Sequence, residues 1–262
     1  MTQRPLEESQ QQRSPVKIFL LSLAVAVMGV AAYGGWRISH EQNLTVGVGF
    51  VTASDLRVPS GIDSQAKKAA FFDFLRPVVQ AENRRIERLR RRLIAARAGG
   101  HDPAWVGAVA KDYGLDWEDV GRDWELLLKR VDKVPLRLAL AQSANESDWG
   151  RSRFAQQANN MFGQWCFTKG CGLVPKLRRT GGRHEVAAYE TVNASVRAYL
   201  HNINTGWAYV ELRSSRGRLR RRGLIPTAQD LAVGLTAYSE RGAAYVRDIR
   251  TMIRTNKALM SP

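Results

Sequence analysis

Cysteine, histidine and acidic residues are all scarce in this chain, and each scarcity excludes something. Two cysteines among 262 residues rule out a disulfide-dense scaffold, and their placement completes no four-ligand zinc site. His184-Glu185 opens like a zincin helix, but Ala188 stands where the second histidine is needed. His40, His101 and His201 form no ligand cluster, so no metal and no cofactor is expected. The chain also lacks a G-x-S-x-G elbow, a Walker loop, a dinucleotide fingerprint and any internal repeat. Acidic residues number 24 against 40 Lys plus Arg, a formal net charge of +16 that favours anionic partners. Apolar residues at 44% and aromatics at 8% exclude a wholly disordered chain.

What the chain does have, early on, is Ile18 to Trp36, IFLLSLAVAVMGVAAYGGW, nineteen residues without a charge. As a helix it would span roughly 28 Å at 1.5 Å per residue, close to the hydrocarbon core of a bilayer. Arg4, Arg13 and Lys17 lie before it and Arg37 is the one close cation after it. By the positive-inside rule residues 1–17 are a cytoplasmic tail and everything after Trp36 is exported. The reading is an inner-membrane anchor with a periplasmic domain, or else a cleaved signal with small residues at Ala31, Ala32, Gly34 and Gly35. Export demotes a nucleic-acid partner, and it places Cys166 and Cys171 of CFTKGC in an oxidising compartment. A short disulfide loop is then expected, worth roughly 2 kcal/mol.

Residues 37–61, with Gly47, Gly49, Pro59 and Gly61, read as a linker. Residues 62–130 read as an N-terminal helical region, with a strong helix from Asp63 to Ala98 that Pro77 should kink or divide. Asp102-Pro103 opens another helix, and a third is expected over Asp116 to Lys129. Residues 131–262 form the main domain. Its first helix, VPLRLALAQSANESDWG, ends near Gly150. Met161 to Tyr189 is glycine-rich, with β-compatible stretches at 162–167 and 185–189. Helices resume over 193–204, 207–222, 228–239 and 243–257. Two arginine runs, 84–97 and 213–222, read as solvated helix faces, or alternatively as contacts to anionic headgroups or an anionic polymer.

With metal and nucleophile motifs absent, carboxylates are the default catalysts. Glu146 has the best physical case. It sits in the last turn of an apolar helix, where the helix dipole and nearby Trp149 both favour the neutral acid. A protonated carboxyl near neutral pH is what general-acid cleavage of a glycosidic bond requires. An exposed, capped Glu is the equally simple structural alternative.

LALAQSANESDWGRSRFAQQANNMFGQW, with Glu146 followed by Asn159, Asn160, Phe162 and Gly163, resembles the signature of the glucosaminidase family of peptidoglycan hydrolases, glycoside hydrolase family 73. FFDFLRP at 71–77, QWCFTKGCGLVP at 164–175 and YSERGAAYVRDI at 238–249 are similar to bacterial members of that family. The resemblance covers about residues 60–258. It implies a mainly α, lysozyme-like α+β fold with a large helical lobe, a small β lobe and a cleft between them. It also implies hydrolysis of the β-1,4 bond after N-acetylglucosamine in the glycan strands of peptidoglycan. Glu146 would be the general acid, and Glu185 the natural second acid, ahead of Glu190 and Glu240. Tyr238 and Tyr245 would stand near the acid; Phe162, Gly163 and Trp165 would form cleft wall and sugar platform. A lytic transglycosylase and a non-catalytic wall-binding protein remain as alternatives. Protease added to spheroplasts is expected to digest the chain beyond residue 36; complete protection would overturn the orientation.

Overall fold

The structure, a computed structural model, describes residues 49–58, 60–99, 103–117, 123–176, 178 and 181–261. The apolar run 18–36 lies outside them. Among the described residues no helix is long and apolar enough to cross a membrane. Residues 47–262 form one compact unit.

Helix α1, Ser64–Arg97, is the longest element; Asp63 caps it by accepting the Ala66 N–H at 2.8 Å. Pro77 does not divide it into two. Phe71, Phe72 and Leu75 before the proline and Val78 and Val79 after it are all buried, so one continuous packed face outweighs the ~3 kcal/mol interior cost of proline. Helices α2, Pro103–Asp112, and α3, Trp124–Arg130, follow. The third helix is shorter than the sequence suggests: Asp123 is its N-cap, accepting from Leu126 N–H at 2.8 Å. Helix α4, Leu136–Glu146, is the core helix, with every residue from Leu138 to Ala144 buried. A short α5, Arg153–Ala158, leads into the irregular region.

That region holds a three-stranded antiparallel sheet of β1, Trp165–Cys166, β2, Gly172–Leu173, and β3, Glu185–Ala187, in the order β1-β3-β2. Trp165 pairs with Val186 on one side of β3, and Gly172 with Ala187 on the other. Gly172 is required there, because a Cβ would fall 2.0 Å from the Val186 carbonyl oxygen. Cys166 and Cys171 form the expected disulfide, closing the β1–β2 connection. Helices α6, Val192–Thr205, α7, Val210–Arg221, α8, Ala228–Ala232, and α9, Ala243–Thr255, complete the chain.

Two contacts bear on how the chain is organised. Residues 49–58 are not a free spacer: Val51 N–H donates to Asn193 Oδ1 and Ala53 N–H to Asn159 Oδ1, while Val192 N–H donates to Val51 O. Nor is residue 131 a boundary of packing, since α1 lies against both α4 and α6 in one continuous core.

The second arginine run is also not simply a solvated face. Arg213 and Arg216 are buried, at 5% and 1% exposure. Arg213 donates to the carbonyls of Ile203 and Gly206 at the end of α6. Arg216 donates to the carbonyls of Lys129, Asp132 and Lys133 and to Asn204 Oδ1. Asp132 is gripped at both oxygens by Arg220. Helix ends leave carbonyls unpaired, and a guanidinium fork can satisfy several at once.

Glu82 performs the complementary task between α1 and α6. It is 2% exposed and accepts from Arg197 and from Arg85. Burial opposes its ionisation, but the hydrogen bonds and charges of Arg197 and Arg85 prevail and hold the carboxyl below its ordinary value. A depressed folded-state value stabilises the fold above the unfolded value and loses that contribution as pH falls through the folded one. Glu82→Gln should therefore cost about 3 kcal/mol at neutral pH by removing the buried charge with which Arg85 and Arg197 pair, and the deficit should shrink in acid. Urea unfolding of both proteins at neutral and acid pH tests this; a pH-independent difference would refute it.

Candidate active site

A cleft of about 670 Å³ is lined from both the helical body and the sheet side. Its central group is Glu146, the last residue of α4. The helix stops there because Ser147 Oγ turns back to Ser143 O and accepts the Gly150 N–H. Asp148, Trp149 and Gly150 then adopt three successive left-handed conformations. Such a turn is costly for residues with a Cβ. Trp149 holds it by packing edge-on against Phe71 and Phe72 of α1, ring centroids 5.8 and 5.3 Å away. The N-E-S-D-W-G segment is thus a helix stop that leaves the carboxyl at the rim of the core.

A directed chain of hydrogen bonds reaches that carboxyl from the interior. Tyr199 of α6 donates to Gln142 Oε1 at 2.7 Å, Gln142 Nε2 to the Tyr245 hydroxyl at 3.0 Å, and Tyr245 to Glu146 Oε1 at 2.8 Å. Asn145 adds a second donor to the same oxygen at 3.1 Å. Tyr238 stands beside Tyr245, centroids 5.0 Å apart. Burial, reinforced by the negative charge of Glu146, pushes the hydroxyls of Tyr199, Tyr209, Tyr238 and Tyr245 well above the ordinary phenol value. They stay neutral donors around the acid.

The opposite wall comes from the Asn160–Gln164 turn. Asn160 donates to Gln164 O and Ala187 O and accepts from the N–H groups of Phe162 and Gln164. This presents Gly163 at a φ of +61°, where an added Cβ would lie 3.9 Å from Glu146 Oε2. Trp165, 60% exposed and stacked on His184 with centroids 4.1 Å apart, offers an open aromatic face. Phe162 does not. It is 1% exposed and stacked on Tyr199 at 3.8 Å, so it forms the floor of the cleft rather than a sugar platform.

The structure brings together Glu146, Phe162, Gly163, Trp165, Tyr238 and Tyr245 around this cleft. It does not bring Glu185 there. Both carboxylate oxygens of Glu185 are occupied, accepting the N–H groups of Gly170 at 3.0 Å and Gly172 at 2.9 Å. Those bonds, first Gly170 then Gly172, hold its carboxyl below the ordinary value. Glu185 thus organises the disulfide loop, and Glu190 and Glu240 are also absent from the lining. Cys166, Cys171 and Glu185 cluster closely, but the disulfide removes the thiolates that a metal would need. Gln142, Tyr199, Asn202, Tyr209 and Arg241 were not evident beforehand. Gln142 precedes Glu146 by one helical repeat, which is a usable signal; Tyr199 sits on an apolar helix face that reads as core.

A helical body flanking a cleft with a small antiparallel sheet fits the lysozyme-like α+β architecture. Residues 123–258 match the family described as mannosyl-glycoprotein endo-beta-N-acetylglucosaminidase. The chain belongs to this glucosaminidase family, which points to a glycoside hydrolase-like enzyme. It is 32% identical over 214 residues to Protein bax of Escherichia coli (strain K12), covering 79% of this chain and 75% of that protein. No solved structure matches the chain.

Tyr245→Phe removes the shorter of the two hydrogen bonds donated to Glu146 Oε1 while leaving the ring in place. It should lower kcat about 10- to 100-fold with little change in KM. Glu185→Gln should leave kcat within about threefold but lower the melting temperature, because one carboxylate oxygen no longer accepts a loop N–H. Turnover assays with thermal melts of both variants decide it; loss of turnover in Glu185→Gln at unchanged stability would restore that residue as an acid.

Proposed function

We propose that the protein is a peptidoglycan hydrolase, an endo-beta-N-acetylglucosaminidase in which Glu146 protonates the leaving oxygen of the β-1,4 bond after N-acetylglucosamine. The carrying observation is that Glu146 is the only carboxylate among the described residues lining the cleft. Inverting and retaining enzymes of the usual type need two carboxyl groups flanking the bond. A cleft with one supports the route in which the substrate's own 2-acetamido oxygen attacks the anomeric carbon as Glu146 donates its proton, so that Glu146 can afterwards deprotonate the incoming water.

The remaining lining residues suit a neutral amino sugar. Trp165 supplies a face for pyranose stacking, and Asn145, Gln164 and Asn202 supply amide donors and acceptors. The tyrosines, held neutral by burial, add no further anion beside the acid. The uncharged run 18–36 supports anchorage in the inner membrane with the catalytic domain in the periplasm beside its polymer, or release there after cleavage. The same lone acid favours one second reading, a lytic transglycosylase that cleaves after N-acetylmuramic acid without water.

Purified sacculi digested with the wild-type protein should yield fragments whose reduced ends are N-acetylglucosaminitol, and Glu146→Gln should release none. Anhydromuramyl ends would establish the transglycosylase instead. No product from either protein, with sacculus binding intact, would leave a wall-binding protein.

A further inference from the structure

A second groove, about 580 Å³, lies between α7, α8 and α9, apart from the residues lining the catalytic cleft. Arg218 and Arg221 enter it from α7, Arg222 from the C-cap of that helix and Arg250 from α9. Its one acid is Asp230, whose Oδ2 accepts both the N–H and hydroxyl of Thr227 in the capping box of α8. Arg218 shares a surface pair with Glu211 at 3.1 Å, and Arg250 Nε rests on Gln229 Oε1 at 2.9 Å. Among the described residues no acid is paired with Arg221 or Arg222. Basic residues in the last turn of α7 complement its dipole, which accounts for part of the run. It does not account for Arg250, which comes from another helix, nor for the apolar residues beside the cations. Val233 lines the groove at 51% exposure, and Leu224 and Ile225, which follow Arg222 after Gly223, are 45% and 83% exposed.

Clustered guanidinium groups bordered by exposed aliphatic side chains are the chemistry of an interfacial membrane contact: the cations meet phosphates while the aliphatics enter the acyl boundary. We infer that this face docks the domain on a bilayer rich in anionic phospholipid headgroups, with Arg218, Arg221, Arg222 and Arg250 on the phosphates and Ile225 inserted. The inference rests on the proposed membrane anchorage and deepens it. The apolar run holds the chain to the membrane, whereas this face would determine which side of the domain the membrane meets. A soluble anionic polymer would satisfy the arginines but leave Ile225 in water, which is why the lipid is favoured.

The test uses residues 47–262, a unit with its own hydrophobic core, so that the apolar run cannot carry the binding. Co-sedimentation with phosphatidylglycerol–phosphatidylcholine vesicles should detect binding that phosphatidylcholine alone does not support. The double variant Arg221→Glu/Arg222→Glu should bind about tenfold or more weakly, whereas Arg84→Glu/Arg91→Glu, the same charge change on α1, should bind within about threefold of wild type. Ile225→Ser should weaken binding while leaving the net charge alone. Equal loss in both double variants would reduce the effect to overall charge and overturn the inference. So would vesicle binding that survives Arg221→Glu/Arg222→Glu while sacculus pelleting falls, which would identify a wall polymer as the occupant. Sacculus digestion by these variants reports separately on the glycosidase reading, and failure there leaves the vesicle result standing.

Discussion

The hydrogen bond from Tyr245 to Glu146 is the contact around which the domain is arranged. For it to form, α4 must stop at residue 146, α9 must lie alongside α4, and the tyrosine hydroxyl must be aimed by Gln142 from one helical repeat earlier. Each condition is met by packing elsewhere. Helix α4 is buried along nearly its whole length, Trp149 anchors the turn after it onto α1, and Tyr199 completes the chain from α6. The acid therefore stands at the boundary between a rigid interior and an open cleft. Donors whose neutrality burial enforces surround it.

The small sheet is built by a different economy. Three strands of two or three residues bury too little surface to hold a shape by packing alone. Covalent and polar ties substitute: the disulfide closes the β1–β2 connection, and Glu185 clamps the N–H groups of Gly170 and Gly172. Asn160 fastens the turn before β1 with four hydrogen bonds, so that Gly163 and Trp165 face the acid. The carboxylate that the family resemblance offered as a second acid is also the group that fastens this loop.

Charge has two separate uses in this chain. Arg213 and Arg216 are internal and close the ends of α3 and α6, the half-buried Arg220 neutralises Asp132, and Arg197 and Arg85 do the same for Glu82 between α1 and α6. The arginines at the end of α7 face outward with exposed aliphatic neighbours. The high net charge therefore overstates what is available to partners.

The residues that could be placed from sequence are those whose chemistry depends on near neighbours. Glu146 stood out because an acid at the end of an apolar helix is unusual wherever the helix packs. Cys166 and Cys171 are close enough in sequence to meet in almost any fold. Tyr238 and Tyr245 followed from the glucosaminidase resemblance, which the family match bears out. Contacts between distant segments could not be read this way. Whether an arginine is solvated or buried, whether residues 49–58 hang free or pack on α6, and whether Glu185 faces sugar or loop amides depend on which carbonyls and amides the rest of the chain leaves unpaired. Those orphan groups arise only when the helices have docked. Local sequence thus determined where the acid and the loop-closing thiols lie, and the tertiary structure decided which charged groups are spent on holding the fold together.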